Sequence, residues 1–329
     1  MKKRTLLVSC GVEPHQRNLI RQQIGEKVDD ILFLADLGDG GRMGALSSAT
    51  VMLARNTAKE LRQGEERLLK GGDLLQFVTA GIDYIPLAGL PPELPVASNG
   101  GAYAEPMAEH ALAMTLAALK RLFVEHEKLG RLEFDQFRPN RMLSGAVVGI
   151  LGFGGIGVAT ARVMRALGAE VHAINRSGRT DEPVAWIGND SELPALLAHA
   201  DVLVLSLPLT PTTENLIGRA ELAAMKSDAI LVNLARGEIV DEGALYAHLR
   251  ANPAFTACID AWWVEPVRHG RFAMDHDFMA LPNVIASPHN SASVNGWRDI
   301  ALSRAIANIE RCLDGREPRY LVPPSDRLR

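Results

Sequence analysis

The chain has 329 residues and a formal net charge of −4 at pH 7, and it is 47% hydrophobic and 22% charged. This length suits two domains, and the balanced charge excludes nucleic acid or a membrane surface as the expected main partner. No apolar run reaches the ~18 residues of a membrane span. The three cysteines lack disulfide-framework or zinc-site spacing. We expect a cytoplasmic protein.

Short apolar runs alternate with mixed stretches through the first hundred residues. Continuous apolar runs are typical of strands buried on both faces of a parallel sheet. The basic start resembles a signal peptide, but its apolar run is too short, so we interpret it as the first strand. The prolines of segment 91–95 make that segment a connector. The predicted strands are 5–10, 31–34, 51–54, 74–79 and 96–98.

One long helix is predicted from about Tyr103 to Leu129. Met107, Ala111 and Met114 begin an apolar stripe at helical spacing that continues along this segment. We expect this helix to bridge two lobes or to serve as a core helix.

From residue 147 the pattern becomes a regular alternation of strands and helices. Such alternation predicts a doubly wound parallel sheet. A last helix is predicted over 297–313, and no internal repeat is found. The predicted strands are 147–151, 170–175, 202–207, 229–233, 257–260 and 284–287, and the predicted helices are 155–167, 193–199 and 242–250.

A glycine-rich loop joins the first strand of this series to its first helix. Its sequence fits G-x-G-x-x-G in the strand-to-helix context that binding of a dinucleotide requires. The glycines permit a tight turn and close approach of a pyrophosphate, and the free N–H groups of the helix N-terminus favour phosphate. The predicted cofactor-binding residues of the loop are Gly152, Gly154, Gly155, Ile156 and Gly157.

The end of the next strand predicts which dinucleotide binds. A site specific for NAD normally has Asp or Glu there, bonded to the ribose hydroxyls. This chain has Asn175, followed by Arg176, Ser177 and Arg179. Without the carboxylate a 2′-phosphate is not repelled, and guanidinium groups bind phosphate well. We therefore predict these four residues as cofactor-binding and NADP in preference to NAD.

Polar side chains follow three later strands of the predicted sheet. Ligands bind at the carboxyl ends of strands in such sheets, so Arg236, Glu265 and His289 could meet in one crevice. Arg236 supplies a cation that could bind a substrate carboxylate, and the imidazole of His289 is suited to donate a proton. Glu265 would favour the charged form of His289. Asp260 could accept a hydrogen bond from the nicotinamide carboxamide.

These motifs, in this order, resemble the D-2-hydroxyacid dehydrogenase family over most of the chain. The resemblance rests on 79–83, 108–112, 152–157, 206–211, Arg236-Gly237, Asp260 to Glu265-Pro266 and Pro288-His289. It implies Arg236, Glu265 and His289 as catalytic residues. Substrate would bind Arg236 and the backbone of Ala80 and Gly81. Further cofactor contacts are expected at Leu207, Pro208, Thr213 and Ala235.

The family also implies the architecture and assembly. We expect two Rossmann-like α/β lobes: a discontinuous, flavodoxin-like substrate lobe formed by residues 1–98 and 294–329, and a dinucleotide-binding domain formed by residues 99–293. A homodimer built on the dinucleotide-binding domains is implied as well.

The leading hypothesis is an NADP(H)-dependent reductase of a small 2-keto acid, similar to the glyoxylate/hydroxypyruvate reductases. The alternatives are the same chemistry on a bulkier 2-keto acid or on phosphite, and a nucleotide-sensing module similar to corepressors. Trp262 and Trp263 are interpreted as packing behind the site. No metal site is predicted, because His269 and the Asp275-His276-Asp277 run are interpreted as a solvated loop.

Overall fold

The computed structural model describes residues 3–327 and divides into two compact units. Unit 1 combines the chain up to Tyr103 with the chain from Asn295 onward, and unit 2 is Ala104–Val294.

Unit 1 is built on a five-stranded parallel sheet. The strand order β2-β1-β3-β4-β5 is that of a flavodoxin-like doubly wound fold. Every residue of β1, β3, β4 and β5 is buried, which explains why these strands are continuous apolar runs in the sequence. The strands are β1 (Thr5–Val8), β2 (Asp30–Phe33), β3 (Val51–Ala54), β4 (Leu74–Phe77) and β5 (Val96–Ala97).

The C-terminal helix completes unit 1 by packing on this N-terminal sheet. Leu302, Ala305 and Ile306 of this helix share one buried cluster with Leu6 and Val8 of β1. Unit 1 is therefore discontinuous in sequence. Its helices are α1 (Pro14–Ile24), α2 (Asp39–Ser48), α3 (Thr57–Glu60) and α11 (Trp297–Leu313).

Unit 2 is built on a seven-stranded parallel sheet of order β12-β11-β10-β9-β6-β7-β8. The order reverses between β6 and β9, which is where a doubly wound sheet forms its ligand crevice. The predicted α/β fold class is confirmed. The strands are β6 (Val147–Leu151), β7 (Glu170–Ile174), β8 (Trp186–Gly188), β9 (Val202–Leu205), β10 (Ile230–Asn233), β11 (Thr256–Ile259) and β12 (Val284–Ala286).

Unit 2, all of whose residues are described, contains seven α-helices in addition to its sheet. No helix within residues 3–327 is both long and apolar enough to cross a membrane. The helices are α4 (Ala104–Leu119), α5 (Leu122–Gly130), α6 (Gly155–Ala166), α7 (Leu193–His199), α8 (Arg219–Ala224), α9 (Glu242–Ala251) and α10 (Pro266–His269).

The single long helix predicted from Tyr103 to Leu129 is wrong, because the structure breaks it between α4 and α5. Arg121 adopts a left-handed conformation with φ of 53°, which no α-helix interior accepts. The carbonyl of Leu119 accepts a hydrogen bond from the N–H of Arg141 at 3.1 Å instead of from the next helical turn. A tertiary contact therefore ends α4, although the apolar stripe in the sequence continues.

Candidate active site

The glycine-rich loop between β6 and α6 has the geometry of a phosphate cradle. Gly152 has a φ of 97°, and a Cβ there would lie 2.6 Å from the main-chain nitrogen of Leu207. A Cβ at Gly157 would lie 2.5 Å from the carbonyl oxygen of Gly152, whereas one at Gly154 would meet nothing within 4 Å. The loop is therefore tightly packed at Gly152 and Gly157, whereas Gly154, next to the N-terminus of α6, faces open space. These residues fit a dinucleotide pyrophosphate.

The turn that follows β7 is held by its own polar side chains. The Asn175 amide donates to the carbonyl of Arg179 at 2.8 Å, and its oxygen accepts from the N–H of Ser177 at 3.1 Å and from the Ser177 hydroxyl at 3.0 Å. The exposed guanidinium groups of Arg176 and Arg179 form no ion pair within residues 3–327. The turn thus presents two cationic side chains without a neighbouring carboxylate partner.

His289 and Glu265 form a hydrogen-bonded pair. His289 Nδ1 lies 2.8 Å from both carboxylate oxygens of Glu265, whose Oε1 also accepts from the N–H of Trp262 at 2.7 Å. Burial raises the pKa of the Glu265 carboxyl, but the bonds from His289 and Trp262 and the charge of Arg236 outweigh it, so this pKa lies below its usual value. An ionised Glu265 orients the ring of His289 through this hydrogen bond.

Arg236 follows β10 and belongs to the same edge of the sheet. Its charge acts on Glu265, and its Nη1 donates to the carbonyl of Ala235 at 2.7 Å. The buried Asn233 holds this segment, since its amide donates to the carbonyl of Arg236 at 2.8 Å and its oxygen accepts from the N–H of Ala235 at 3.0 Å. The structure therefore brings together the predicted catalytic trio at the carboxyl ends of β10, β11 and β12, which are neighbours in the sheet.

His289 itself has a φ of 50°. A non-glycine residue in this region is uncommon and strained, and such strain is found where function holds a side chain in place.

Asp260 is completely buried at the end of β11. It accepts hydrogen bonds from the Ser287 hydroxyl at 2.5 Å and from the N–H of Asn290 at 3.2 Å. His110 of α4 joins this network, with Nε2 at 3.0 Å from Ser287 Oγ and 3.7 Å from Asp260 Oδ1. The motif 108–112, which contains His110, does not predict this contact, because Ser287 is 177 positions away.

The remaining predicted cofactor residues lie in loops of the same sheet edge. Leu207 and Pro208 follow β9, and the backbone of Leu207 underlies Gly152. The Thr213 hydroxyl donates to the carbonyl of Pro208 at 2.8 Å, which closes the loop on itself. Ala235 lies beside Arg236.

Ala80 and Gly81 lie in unit 1, in the loop after β4. Their N–H groups donate to no residue within 3–327. Two adjacent unpaired N–H groups are suited to a carboxylate.

Trp262 and Trp263 are core residues. Their indole N–H groups donate to the carbonyls of Ser287 at 2.8 Å and Val240 at 2.7 Å, and both side chains are buried.

The polar loop before β12 has mostly structural contacts. His276 stacks on Tyr246 at 4.7 Å between ring centroids, and Asp277 accepts from the N–H of Ala280 at 3.2 Å. Within residues 3–327 no three His, Cys, Asp or Glu side chains group as metal ligands would.

Comparison with known proteins agrees with this geometry. Residues 112–291 match the NAD binding domain of the D-isomer specific 2-hydroxyacid dehydrogenases. Glyoxylate reductase of Aeropyrum pernix is 34% identical over 236 residues, which is 69% of each chain. Glyoxylate/hydroxypyruvate reductase B of Erwinia tasmaniensis is 32% identical over 227 residues, 67% of this chain and 68% of that one.

A solved structure shares the fold across both units. The D-isomer specific 2-hydroxyacid dehydrogenase of Xanthobacter autotrophicus Py2, in complex with NADPH and MES, has a TM-score of 0.79 at 24% identity, covering 98% of each chain.

The chain therefore belongs to the D-isomer specific 2-hydroxyacid dehydrogenase family. It is an oxidoreductase with an NAD(P)-binding domain, and its family acts on small 2-keto and 2-hydroxy acids. This membership favours an enzyme over the nucleotide-sensing module considered from the sequence.

Proposed function

We propose that this enzyme reduces a short 2-keto acid of the glyoxylate or hydroxypyruvate type with NADPH, forming the D-2-hydroxy acid. The observation that carries the proposal is the His289–Glu265 pair at 2.8 Å, at the same strand ends as Arg236. The names of the relatives from Aeropyrum pernix and Erwinia tasmaniensis support the substrate class.

Each residue of the trio has one task in this reduction. A reduced nicotinamide cofactor, held by the loop of Gly152, Gly154 and Gly157, would supply the hydride for the keto carbon. Arg236 binds the substrate carboxylate and polarises the keto oxygen through its planar guanidinium. Nδ1 of His289 is bonded to Glu265, so Nε2 is the atom that gives a proton to the developing alkoxide. Glu265 accepts the hydrogen bond at Nδ1 and holds the imidazole in one orientation for that transfer. Asp260 would accept a hydrogen bond from the carboxamide of the cofactor.

The turn after β7 supports NADP over NAD. The Asn175 amide is committed to bonds within the turn, and it carries no charge that would repel a phosphate. Arg176 and Arg179 are available for charge-assisted hydrogen bonds to a 2′-phosphate.

We further propose unit 1 as the substrate domain and unit 2 as the dinucleotide-binding domain. Ala80 and Gly81, whose N–H groups donate to no residue within 3–327, are the proposed substrate-binding residues of unit 1.

A homodimer through unit 2 is the proposed assembly. Segment 122–142 exposes seven large apolar side chains, an unusual cluster for a surface in contact with water. These are Leu122, Phe123, Leu129, Leu132, Phe134, Phe137 and Met142.

A panel of 2-keto acids tests the reaction directly. Loss of reduced cofactor is followed with glyoxylate, hydroxypyruvate and bulkier 2-keto acids, and formation of reduced cofactor from the oxidised form is followed with phosphite. The short keto acids should give the highest kcat/KM, and H289A should lower kcat by about 10²- to 10⁴-fold while cofactor still binds. Preference for a bulkier acid or phosphite would replace the substrate assignment. Unchanged turnover in H289A would remove His289 from the mechanism.

The cofactor preference is tested by kcat/KM for NADPH and NADH. The wild type should favour NADPH, and R176A/R179A should lose about 10²-fold with NADPH only, because each of the two charge-assisted bonds on this exposed turn contributes about 1.5 kcal/mol, the lower end for a bond to a charged group. R219A removes an exposed arginine elsewhere in unit 2 and is the control. Equal or better use of NADH by the wild type contradicts the preference.

A further inference from the structure

An ion pair joins the two segments that carry Arg236 and Glu265. Nη1 of Arg268 lies 2.7 Å from Oε1 and 2.9 Å from Oε2 of Glu238. Glu238 is two residues after Arg236, and Arg268 is three residues after Glu265. The side chains of the pair are only 13% and 21% exposed, so water screens their attraction less than it does that of a surface pair.

The same two segments also touch through their main chains. A Cβ on Gly237, which lies between Arg236 and Glu238, would overlap the main-chain carbon of Trp262 and the main-chain nitrogen of Trp263. The N–H of Trp262 is the group that donates to Glu265. A shift of the Arg236 segment would therefore press directly on the residues that hold the Glu265 carboxylate.

Arg268 has a short path to Glu265 as well. It lies in α10, which starts directly after Glu265, and its N–H donates to the carbonyl of Glu265 at 3.2 Å. The N–H of Glu265 donates to Nδ1 of His269 at 3.0 Å, and the N–H of His269 donates back to the carbonyl of Glu265 at 2.7 Å. Both the N–H and the carbonyl of Glu265 are hydrogen-bonded to residues of α10. A displacement of Arg268 would therefore also displace the main chain that carries the Glu265 carboxylate.

We propose that Arg268 is a positioning residue for the reduction, acting through Glu238 to keep the Arg236 guanidinium in register with the Glu265–His289 pair. This inference rests on the proposed function, because it assigns Arg268 to the geometry of that reaction. Arg236 holds the substrate on one segment and His289 receives its orientation from the other. Their separation decides whether the keto oxygen lies within reach of the imidazole, and a displacement near 1 Å can cost about 10²-fold in rate.

The test compares R268M, R268K, E238Q and the exchanged pair R268E/E238R with the wild type. Methionine keeps most of the length of the arginine side chain without its charge, and lysine keeps the charge. K226M is the matched control, because Lys226 pairs with Asp201 at 2.8 Å at the amino edge of the same sheet. Each protein is measured for kcat, KM of the keto acid, Kd of NADPH, thermal stability, and amide hydrogen exchange of peptides 236–240 and 262–269.

The expected result is specific to these two segments. R268M and E238Q should lower kcat about 10- to 100-fold and raise KM for the keto acid, with the Kd of NADPH within twofold of the wild type. R268K should recover most of the loss, and the exchanged pair should recover part of it. Exchange should become faster in both peptides for R268M and should be unchanged in K226M.

Two results would overturn the inference: wild-type kcat and KM in R268M, or a decrease in thermal stability alone that K226M reproduces. The hydrogen-exchange measurement distinguishes a failure of the role inferred for Arg268 from a failure of the proposed function. If the wild type reduced no 2-keto acid, the proposed function would fall, while faster exchange in peptide 236–240 of R268M would still support the coupling. Unchanged exchange there would refute it.

Discussion

Glu265 carries a negative charge at a position where burial opposes it. Its side chain is 8% exposed, and three neighbours compensate for the lost water: His289, the N–H of Trp262 and the field of Arg236. The charged carboxylate accepts the hydrogen bond at Nδ1 of His289 and so fixes the orientation of the ring. The pKa of Glu265 therefore depends on all three neighbours, and replacing any one of them changes how strongly its charge is stabilised.

The variant E265Q tests the role of this buried charge through the pH dependence of the free energy of unfolding. The pKa of Glu265 is lowered in the folded protein, so its contribution to stability is present above the unfolded value, near ~4.3, and is lost as the pH falls through the folded value. The unfolding free energy of the wild type should therefore fall more steeply in acid than that of E265Q. At neutral pH the variant should reduce keto acid about 10- to 100-fold more slowly.

Denaturant unfolding at several pH values, together with kcat, makes this measurement. E170Q is the control, because Glu170 also pairs with a histidine, His172 at 2.8 Å, but its side chain is 55% exposed. E170Q should follow the wild type. A parallel pH dependence of E265Q and the wild type would mean that the buried charge is not coupled to folding.

Among the structural elements, the loop between β6 and α6 contains one glycine that is needed for packing and another that is needed for binding of the cofactor. Gly157 is required by packing against the carbonyl of Gly152, whereas the side of Gly154 is open. Two glycines of one motif therefore have different physical reasons to be glycine.

G157A and G154A should differ in a predictable way. G157A forces a backbone shift, so we expect a Tm lower by several degrees and a Kd for NADPH at least about 10-fold higher. G154A should keep the wild-type Tm but weaken the cofactor to a similar extent, because its methyl group would occupy the space of the pyrophosphate. Calorimetry and fluorescence titration measure the two quantities. Wild-type affinity in G154A would place the phosphates elsewhere.

At the scale of the whole molecule, the exposed apolar residues of segment 122–142 need an explanation. Leu132 is 94% exposed and Phe137 is 85% exposed, in a part of unit 2 that lies outside the sheet. A second copy of the chain would remove such side chains from water, at roughly 25 cal/mol per Å² of apolar surface.

F134D/F137D should therefore convert a dimer to a monomer, because two charges would have to be desolvated at the interface. Light scattering during size-exclusion chromatography measures this. M43D changes an exposed apolar residue of unit 1 and should leave the mass unchanged. A monomeric wild type at micromolar concentration, or a double variant that stays dimeric, would contradict the proposed interface.

Several features of the fold escaped prediction for identifiable reasons. The edge strand β8 has only three residues, fewer than the four to eight by which a strand is recognised in a sequence. The break at Arg121 depends on a hydrogen bond from Arg141, twenty positions later. The place of His110 beside Asp260 depends on packing between α4 and the strand ends, which no local pattern encodes.

The two α/β units and the class of chemistry could be predicted from local patterns in the sequence. Buried parallel strands need uninterrupted apolar runs, and a phosphate loop needs glycines at set intervals, so both leave local patterns. Three features became apparent only in the folded structure: the burial of Glu265, the hydrogen bonds by which Asn175 holds its own turn, and the ion pair between Arg268 and Glu238. These depend on distances between segments far apart in the chain, which are set by how the strands pack.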